Sequence, residues 1–413
     1  MISYESFILS NGLKVIVHED HSAPIAAVNL LYKVGARDED PEKTGFAHLF
    51  EHLMFGGSKN VPEYDEPLQK VGGDNNAFTS NDITNYYITL PSANLETAFW
   101  LESDRMLSLS FDPKVLEVQR SVVIEEFKQR YLNQPYGDAW LKLRPLAYQQ
   151  HPYRWATIGK EISHIEKATM DDVKDFFFKY YLPNNAVLVV AGDVTFDEVK
   201  RLSEKWFGPI PAGELDTRKL PVEEAQQEYR LLEVEEKVPI DALYMTFHMP
   251  ARTDDAYHAT DLLSDILGRG KSSRLYNELL EDKRIFNSIS AHVTGSVDPG
   301  LFVIEGKLNS GFSTKDGEDA VWELIEEFKK ETLSEKEVNK VKNKAESTQV
   351  FSEMELLNRA MALAYAEMLG DASLANEEID RIRAVTADDI SRQAELILNK
   401  ENASVLRYNA KQG

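Results

Sequence analysis

A short stretch of this chain returns at a fixed distance, and that repeat narrows the possible folds more than any other feature. Thr169-Met170-Asp171-Asp172-Val173 recurs as Thr386-Ala387-Asp388-Asp389-Ile390, 217 positions on, and the same shift carries Asn185-Ala186 onto Asn402-Ala403. Nearer the front of each half, Ala36-Arg37-Asp38-Glu39-Asp40 is echoed by Ala251-Arg252-Thr253-Asp254-Asp255 at a shift of 215. One such match arises by chance; three at nearly one shift imply a duplicated domain. Length agrees, because single hydrophobic cores stop growing at roughly 250–300 residues and this chain has 413. Apolar periodicity fades over residues 209–228, where Gly208-Pro209-Ile210-Pro211-Ala212-Gly213 runs into a stretch carrying Glu223-Glu224 and Gln226-Gln227, the composition of a linker. The expected organisation is a first domain over residues 1–210, a linker over 211–228 and a related domain over 229–413.

In the first half, residues 13–18 and 25–32 read as strands joined by the polar turn Glu19-Asp20-His21-Ser22. Residues 44–55 read as a helix stopped by Gly56-Gly57, residues 113–131 as another, and residues 186–191 as a strand ended by Gly192-Asp193. The first of these helices carries His48-Leu49-Phe50-Glu51-His52. Residues four apart share a helix face, so His48 and His52 can offer their imidazoles to one ion. Glu51 lies beside that ion without having to bind it, which is the place of a general base. Zinc held by three protein ligands keeps a position for water and lowers its pKa towards about 7. A neighbouring carboxylate can then take the proton and hand it to the leaving amine of a cleaved peptide. Shifted by 215, His48, Glu51 and His52 fall on Leu263, Ile266 and Leu267, so the second copy is expected to hold no metal.

A third ligand must come from elsewhere, and Arg120-Ser121-Val122-Val123-Ile124-Glu125-Glu126 offers two acids about 100° apart round a helix. Pattern alone leaves Glu125 and Glu126 both open. Composition closes off other classes. With no cysteine, disulfides and zinc fingers are excluded, and any metal is held by His and carboxylate. A net charge of −23 disfavours a nucleic-acid partner. The first residues lack the basic and apolar segments of a secretory signal, and no window approaches the 18 or so apolar residues that span a bilayer. A soluble, cytoplasmic protein without a membrane partner is expected.

Taken together, these motifs resemble the pitrilysin/insulinase family of inverzincin peptidases, in its shorter bacterial processing-peptidase-like branch. The resemblance runs from Leu9-Ser10-Asn11-Gly12-Leu13 through Gly45-Phe46-Ala47-His48-Leu49-Phe50-Glu51-His52 and Gly72-Gly73-Asp74-Asn75-Asn76-Ala77-Phe78-Thr79. It continues through Arg120 to Glu126, His151-Pro152-Tyr153, Tyr181-Leu182-Pro183-Asn184-Asn185 and Ser272-Ser273-Arg274-Leu275-Tyr276. It implies an α+β fold of two similar domains, each an antiparallel-rich sheet packed with helices. It further implies one zinc ion per chain on His48, His52 and Glu126, with Glu51 as base, and so chooses Glu126 over Glu125. Asn76, Ala77, Phe78 and Thr79 would form an edge strand that pairs with extended substrate, reading main chain more than side chains.

Two departures from the family pattern stand out. Gln119 occupies a position, seven residues before Glu126, where many relatives carry Glu, which removes a charge from the surroundings of the metal. In the second half, Leu280 and Asn287 stand where relatives that work alone carry an Arg and a Tyr that grip substrate and the transition-state oxygen. Such donors are worth about 2.7–4 kcal/mol each. The expectation is therefore a zinc endopeptidase acting on extended peptides inside a closed chamber, as the metal-bearing subunit of a heterodimer whose homologous partner supplies the Arg/Tyr pair. A homodimer using Arg274 or Tyr276 is the competing assembly. The competing functions are a non-catalytic assembly subunit and a peptide-holding chamber of the same fold.

Overall fold

The residues Ala-Val-Leu-Val-Val-Ala-Gly at 186–192 have no polar face, so a strand built from them must lie inside a sheet covered on both sides. A computed structural model describes residues 1–215 and 219–411; Asp216, Thr217 and Arg218 of the expected linker lie outside the described residues. The first half forms β1 (Glu5–Ile8), β2 (Lys14–Glu19), β3 (Ile25–Tyr32), β4 (Asp74–Thr79), β5 (Thr84–Pro91) and β6 (Ala186–Gly192). They make one sheet in the order β1-β2-β6-β3-β5-β4, with β6 buried at every position. Only the β2–β6 pair is parallel. The strands β2 and β3, which the polar turn joins, are thus not partners. The wholly apolar β6 takes the place between them, in the interior of the sheet, where none of its residues is exposed.

The second half forms β7 (Arg230–Glu236), β8 (Ala242–His248), β9 (Phe286–Val293), β10 (Leu301–Leu308) and β11 (Ala403–Ala410), in the order β7-β11-β8-β10-β9. Again the pair formed with the last strand of the chain, β7–β11, is the parallel one. This is the order β2-β6-β3-β5-β4 over again, with β10 and β11 each starting 217 positions after β5 and β6. The recurring Thr-x-x-Asp is a helix capping box in both copies, with Thr169 Oγ1 and Thr386 Oγ1 each 2.6 Å from the carboxylate of Asp172 and Asp389. The expected α+β duplication is the observed fold.

The chain packs as two compact units that are not contiguous in sequence, unlike the expected boundaries. One comprises Met1–Lys128, Trp155–Leu220 and Val350–Glu377; the other comprises Gln129–Arg154, Pro221–Gln349 and Glu378–Gly413. The cause is a reciprocal loan of one helix. Leu356–Leu369, from the second half, buries Ala360, Leu363 and Ala364 against Ala27, Leu31, Val187 and Val189 of the first sheet. Ala139–Ala147, from the first half, buries Ala139 and Leu143 against Ala242, Leu406 and Tyr408 of the second. The two helices start 217 positions apart, so the exchange obeys the repeat. Among the described residues no helix is long and apolar enough to cross a membrane.

Candidate metal centre

The helix α1 (Phe46–Leu53) is anchored by its apolar face, with Phe46, Ala47, Leu49, Phe50 and Leu53 buried. Phe50 stacks on Tyr181 and Phe176, with ring centroids 5.1 and 5.0 Å away. This leaves His48 and His52 together on the remaining face, their rings 4.9 Å apart and nearly perpendicular. The helix starts two residues later, and stops two earlier, than the sequence predicts. Its N-cap is Gly45 at φ 90°, where a Cβ would stand 2.7 Å from the carbonyl oxygen of Ile158. Both the backbone angle and the lack of room favour glycine at this position.

The third group arrives on the helix Pro113–Phe127, which starts cleanly because Asp112 accepts a hydrogen bond from the Lys114 N–H at 2.8 Å and Pro113 occupies the first turn. Leu116, Val123 and Phe127 bury its inner face. The α-helix ends at Phe127, and Lys128–Leu132 continues in wider π turns, where a single helix to residue 131 was expected. Glu126 lies with Oε2 3.6 Å from His48 Nε2 and 3.5 Å from His52 Nε2. Glu125 points away and pairs with Lys128 at 2.7 Å. The open choice between the two acids is thus decided in geometry: it is Glu126 that meets the histidines. Gln119 is half-buried two turns earlier on the same face of this helix.

One atom each from His48, His52 and Glu126 lie within 4.8 Å of one another, the only such grouping among the described residues. Ligands about 2.0–2.2 Å from a tetrahedral ion sit roughly 3.3–3.6 Å apart. The two histidine-to-carboxylate distances fall in that range, so the residues present fit a His2Glu metal site with one position left open.

Glu51 lies on the same helix between the two histidines, and its Oε2 accepts a hydrogen bond from Thr79 Oγ1 at 2.6 Å. Burial pushes its carboxyl above the ordinary value, opposed by the Thr79 hydrogen bond and by His52, while Glu126 adds to the rise. Thr79 ends β4, the last strand of the sheet, which is bonded on one side to β5. Exposure alternates along β4, with Asn76 and Phe78 facing solvent and Ala77 and Thr79 turned inwards. The Ala77 N–H is taken by its neighbour's Asn76 Oδ1 at 2.8 Å rather than by β5. The strand therefore turns Ala77's backbone to the open edge, where an extended chain can add.

The sequence reading missed one acid. Glu39 is buried, and accepts hydrogen bonds from the Gly45 N–H at 2.9 Å and the Ala47 N–H at 2.8 Å, both in the first turn of α1. In sequence it is one acid among 69, and the only signal was its place six residues before Gly45. In the second unit the helix Tyr257–Gly268 has Leu263, Ile266 and Leu267 fully buried. The turns before the two helices match at a shift of 216 rather than 215, since Gly35 N–H to Asp38 Oδ2 (2.8 Å) is repeated by Ala251 N–H to Asp254 Oδ2 (2.9 Å). At that shift the motif positions become Ser264, Leu267 and Gly268, which again hold no metal.

Residues 14–153 match the family model described as insulinase, peptidase family M16, and residues 167–345 match the model described as the peptidase M16 inactive domain. The zinc protease PqqE of Helicobacter pylori is 34% identical over 347 residues, 82% of this chain and 78% of that protein. A probable mitochondrial-processing peptidase subunit beta of Arabidopsis thaliana is 26% identical over 308 residues, 71% of this chain and 57% of that protein. The crystal structure of a protease from Helicobacter pylori shares the fold at a TM-score of 0.92 and 29% identity, over 99% of this chain and 100% of that one. The metal-site half falls within the first match and the ligand-free helix within the second, and on these likenesses the chain belongs to the insulinase family of peptidases, M16.

Proposed function

We propose that this chain is a zinc-dependent endopeptidase that cuts extended peptides laid along β4, with His48, His52 and Glu126 holding the metal and Glu51 acting as base. The observation that carries this reading is the meeting of three ligand atoms within 4.8 Å, from two helices, with the Glu51 carboxylate on the same face. Zinc, when bound, supplies a Lewis acid and a water of lowered pKa. Thr79 holds one oxygen of Glu51, so the other takes the water proton and returns it to the departing amine. The outward backbone of Ala77 pairs with the peptide main chain and sets its register against Glu51.

The donors that steady the transition-state oxygen come, in this reading, from a homologous partner chain. Leu280 packs against the second core, and Asn287 is exposed on β9; neither is a cation or a phenol. Arg274 gives its donors to Glu337, twice at 2.9 Å, and to Glu331 at 2.7 Å, which speaks against a homodimer built on Arg274. The similar Arabidopsis protein is likewise named a subunit. The test is cleavage of a long unstructured peptide. Chain isolated from its own cells with its partner should cleave it, lose that activity to a chelator and regain it with zinc. The pure chain should bind one zinc and cleave poorly. Chelator-resistant cleavage contradicts the zinc reading, and vigorous cleavage by the pure chain contradicts the partner.

A further inference from the structure

A carboxylate out of water is costly unless hydrogen bonds repay it, and Glu39 is only 5% exposed. Two of those hydrogen bonds come from the start of α1. That helix is two turns long and carries one ligand in each turn, so its direction decides whether His48 and His52 point at the same place. Its N-cap is a glycine, which has no side chain to satisfy the free N–H groups of the first turn. Glu39 replaces the missing cap from outside the helix, using Oε2 for the Gly45 N–H and Oε1 for the Ala47 N–H, the residue before His48. Burial pushes its carboxyl well above the ordinary carboxylate range, and the hydrogen bonds from the Ala47 and Gly45 N–H groups oppose that rise.

The residue is in turn held by its own loop. Asp38 closes the turn on the Gly35 N–H; the Ala36 and Arg37 N–H groups donate to the carbonyls of Ser80 and Asn81 just beyond β4; Trp155 Nε1 donates to the Ala36 carbonyl at 2.8 Å. Glu39 therefore joins the helix that bears the ligands to the end of the edge strand.

The duplicated copy provides an internal control. In register at a shift of 216, Asp38 corresponds to Asp254 and Glu39 to Asp255. The turn is kept, with its Asp254 hydrogen bond, yet Asp255 is exposed and the helix that follows has no side-chain cap on its N-terminus. The fold forms this turn and helix without burying the carboxylate that corresponds to Glu39. The copy that buries it is the copy that has the ligands.

We infer that Glu39 is a positioning residue of the metal centre, which fixes the first turn of α1 so that His48 and His52 converge on one ion. This rests on the metal reading above and adds a residue to it. The test is the zinc affinity of the metal-free full chain, titrated against a chromophoric chelator, for wild type, Glu39→Gln and Glu39→Asp. Gln keeps the shape but turns an NH2 towards a backbone N–H; Asp keeps the carboxyl but is one methylene short. Substitutions behind a metal's ligands typically cost about 10–100-fold in affinity. That loss is expected for Glu39→Gln, with a smaller one for Glu39→Asp. Leu363→Ala, in the core behind the first sheet, serves as control: it should lower the unfolding midpoint and leave zinc affinity unchanged. Zinc affinity within twofold of wild type in both Glu39 variants overturns the inference, as does an equal loss in Leu363→Ala. Failure of the wild-type chain itself to bind zinc overturns the metal reading, and the inference with it.

Discussion

Glu51→Gln is expected to lower kcat/KM for peptide cleavage by about 10²–10⁴-fold, the usual worth of a positioned acid–base group, while zinc content stays unchanged. Gln keeps the size of the side chain and can still accept the Thr79 hydrogen bond, so the helix and its histidines have no cause to move. What is lost is the oxygen that takes a proton. The measurement belongs on enzyme purified from its own cells through a tag on this chain, so that any partner subunit comes with it, with zinc determined on the same sample. A scaffold subunit, or a chamber that holds peptides without cutting them, would show no change on this substitution. A rate unaltered by Glu51→Gln, with zinc present, therefore removes the catalytic role of Glu51.

Arg105→Met is expected to cost about 3–5 kcal/mol of folding stability, the range found when one partner of a buried ion pair is removed. Arg105 is 1% exposed and donates to Glu102 through Nε at 2.8 Å and through Nη2 at 2.5 Å. Its guanidinium lies over the rings of Tyr86 at 4.3 Å and Tyr64 at 4.6 Å. Met fills the space but leaves Glu102 charged and buried, with the Tyr64 hydroxyl as its remaining donor. The double variant with Glu102→Gln should recover part of the loss, since the uncompensated charge is gone. Urea unfolding of the first-unit signal measures both; a loss below about 1 kcal/mol for Arg105→Met would mean that Glu102 is neutralised some other way.

How far the site was legible in sequence depends on how local each relation is. His48, Glu51 and His52 sit within five positions of one helix, and helix geometry alone puts the two histidines on one face. Glu126 was legible only as one of a pair. The 100° between neighbouring residues is known, but which side of the helix meets α1 depends on how its Leu116, Val123 and Phe127 seat in the core. The place of β6 between β2 and β3 was not legible, because strand pairing across more than 150 residues leaves no mark in the strands beyond their apolarity. The helix exchange was hidden for the same reason. The apolar faces of Ala139–Ala147 and Leu356–Leu369 say that each is buried, not against which sheet.

The repeat, in contrast, was legible from three short matches, because capping boxes and tight turns demand particular residues at particular places. Thr169 and Asp172, like Thr386 and Asp389, are exposed or nearly so and do local work, and the repeat shows there although core residues have drifted. Glu39 is the opposite case. A loop acid carries no pattern, and its role appears only once the helix N-terminus it caps has been placed above it.

The central claim is that His48, His52 and Glu126 together hold one zinc ion, and zinc content after gel filtration of Glu126→Gln and Glu125→Gln tests it most directly. The two acids are neighbours with the same chemistry, so any general effect of losing a charge from this helix is shared by both variants. The account predicts one zinc per chain in wild type and in Glu125→Gln, and zinc lost from Glu126→Gln. Full retention by Glu126→Gln, or loss from Glu125→Gln instead, would contradict it.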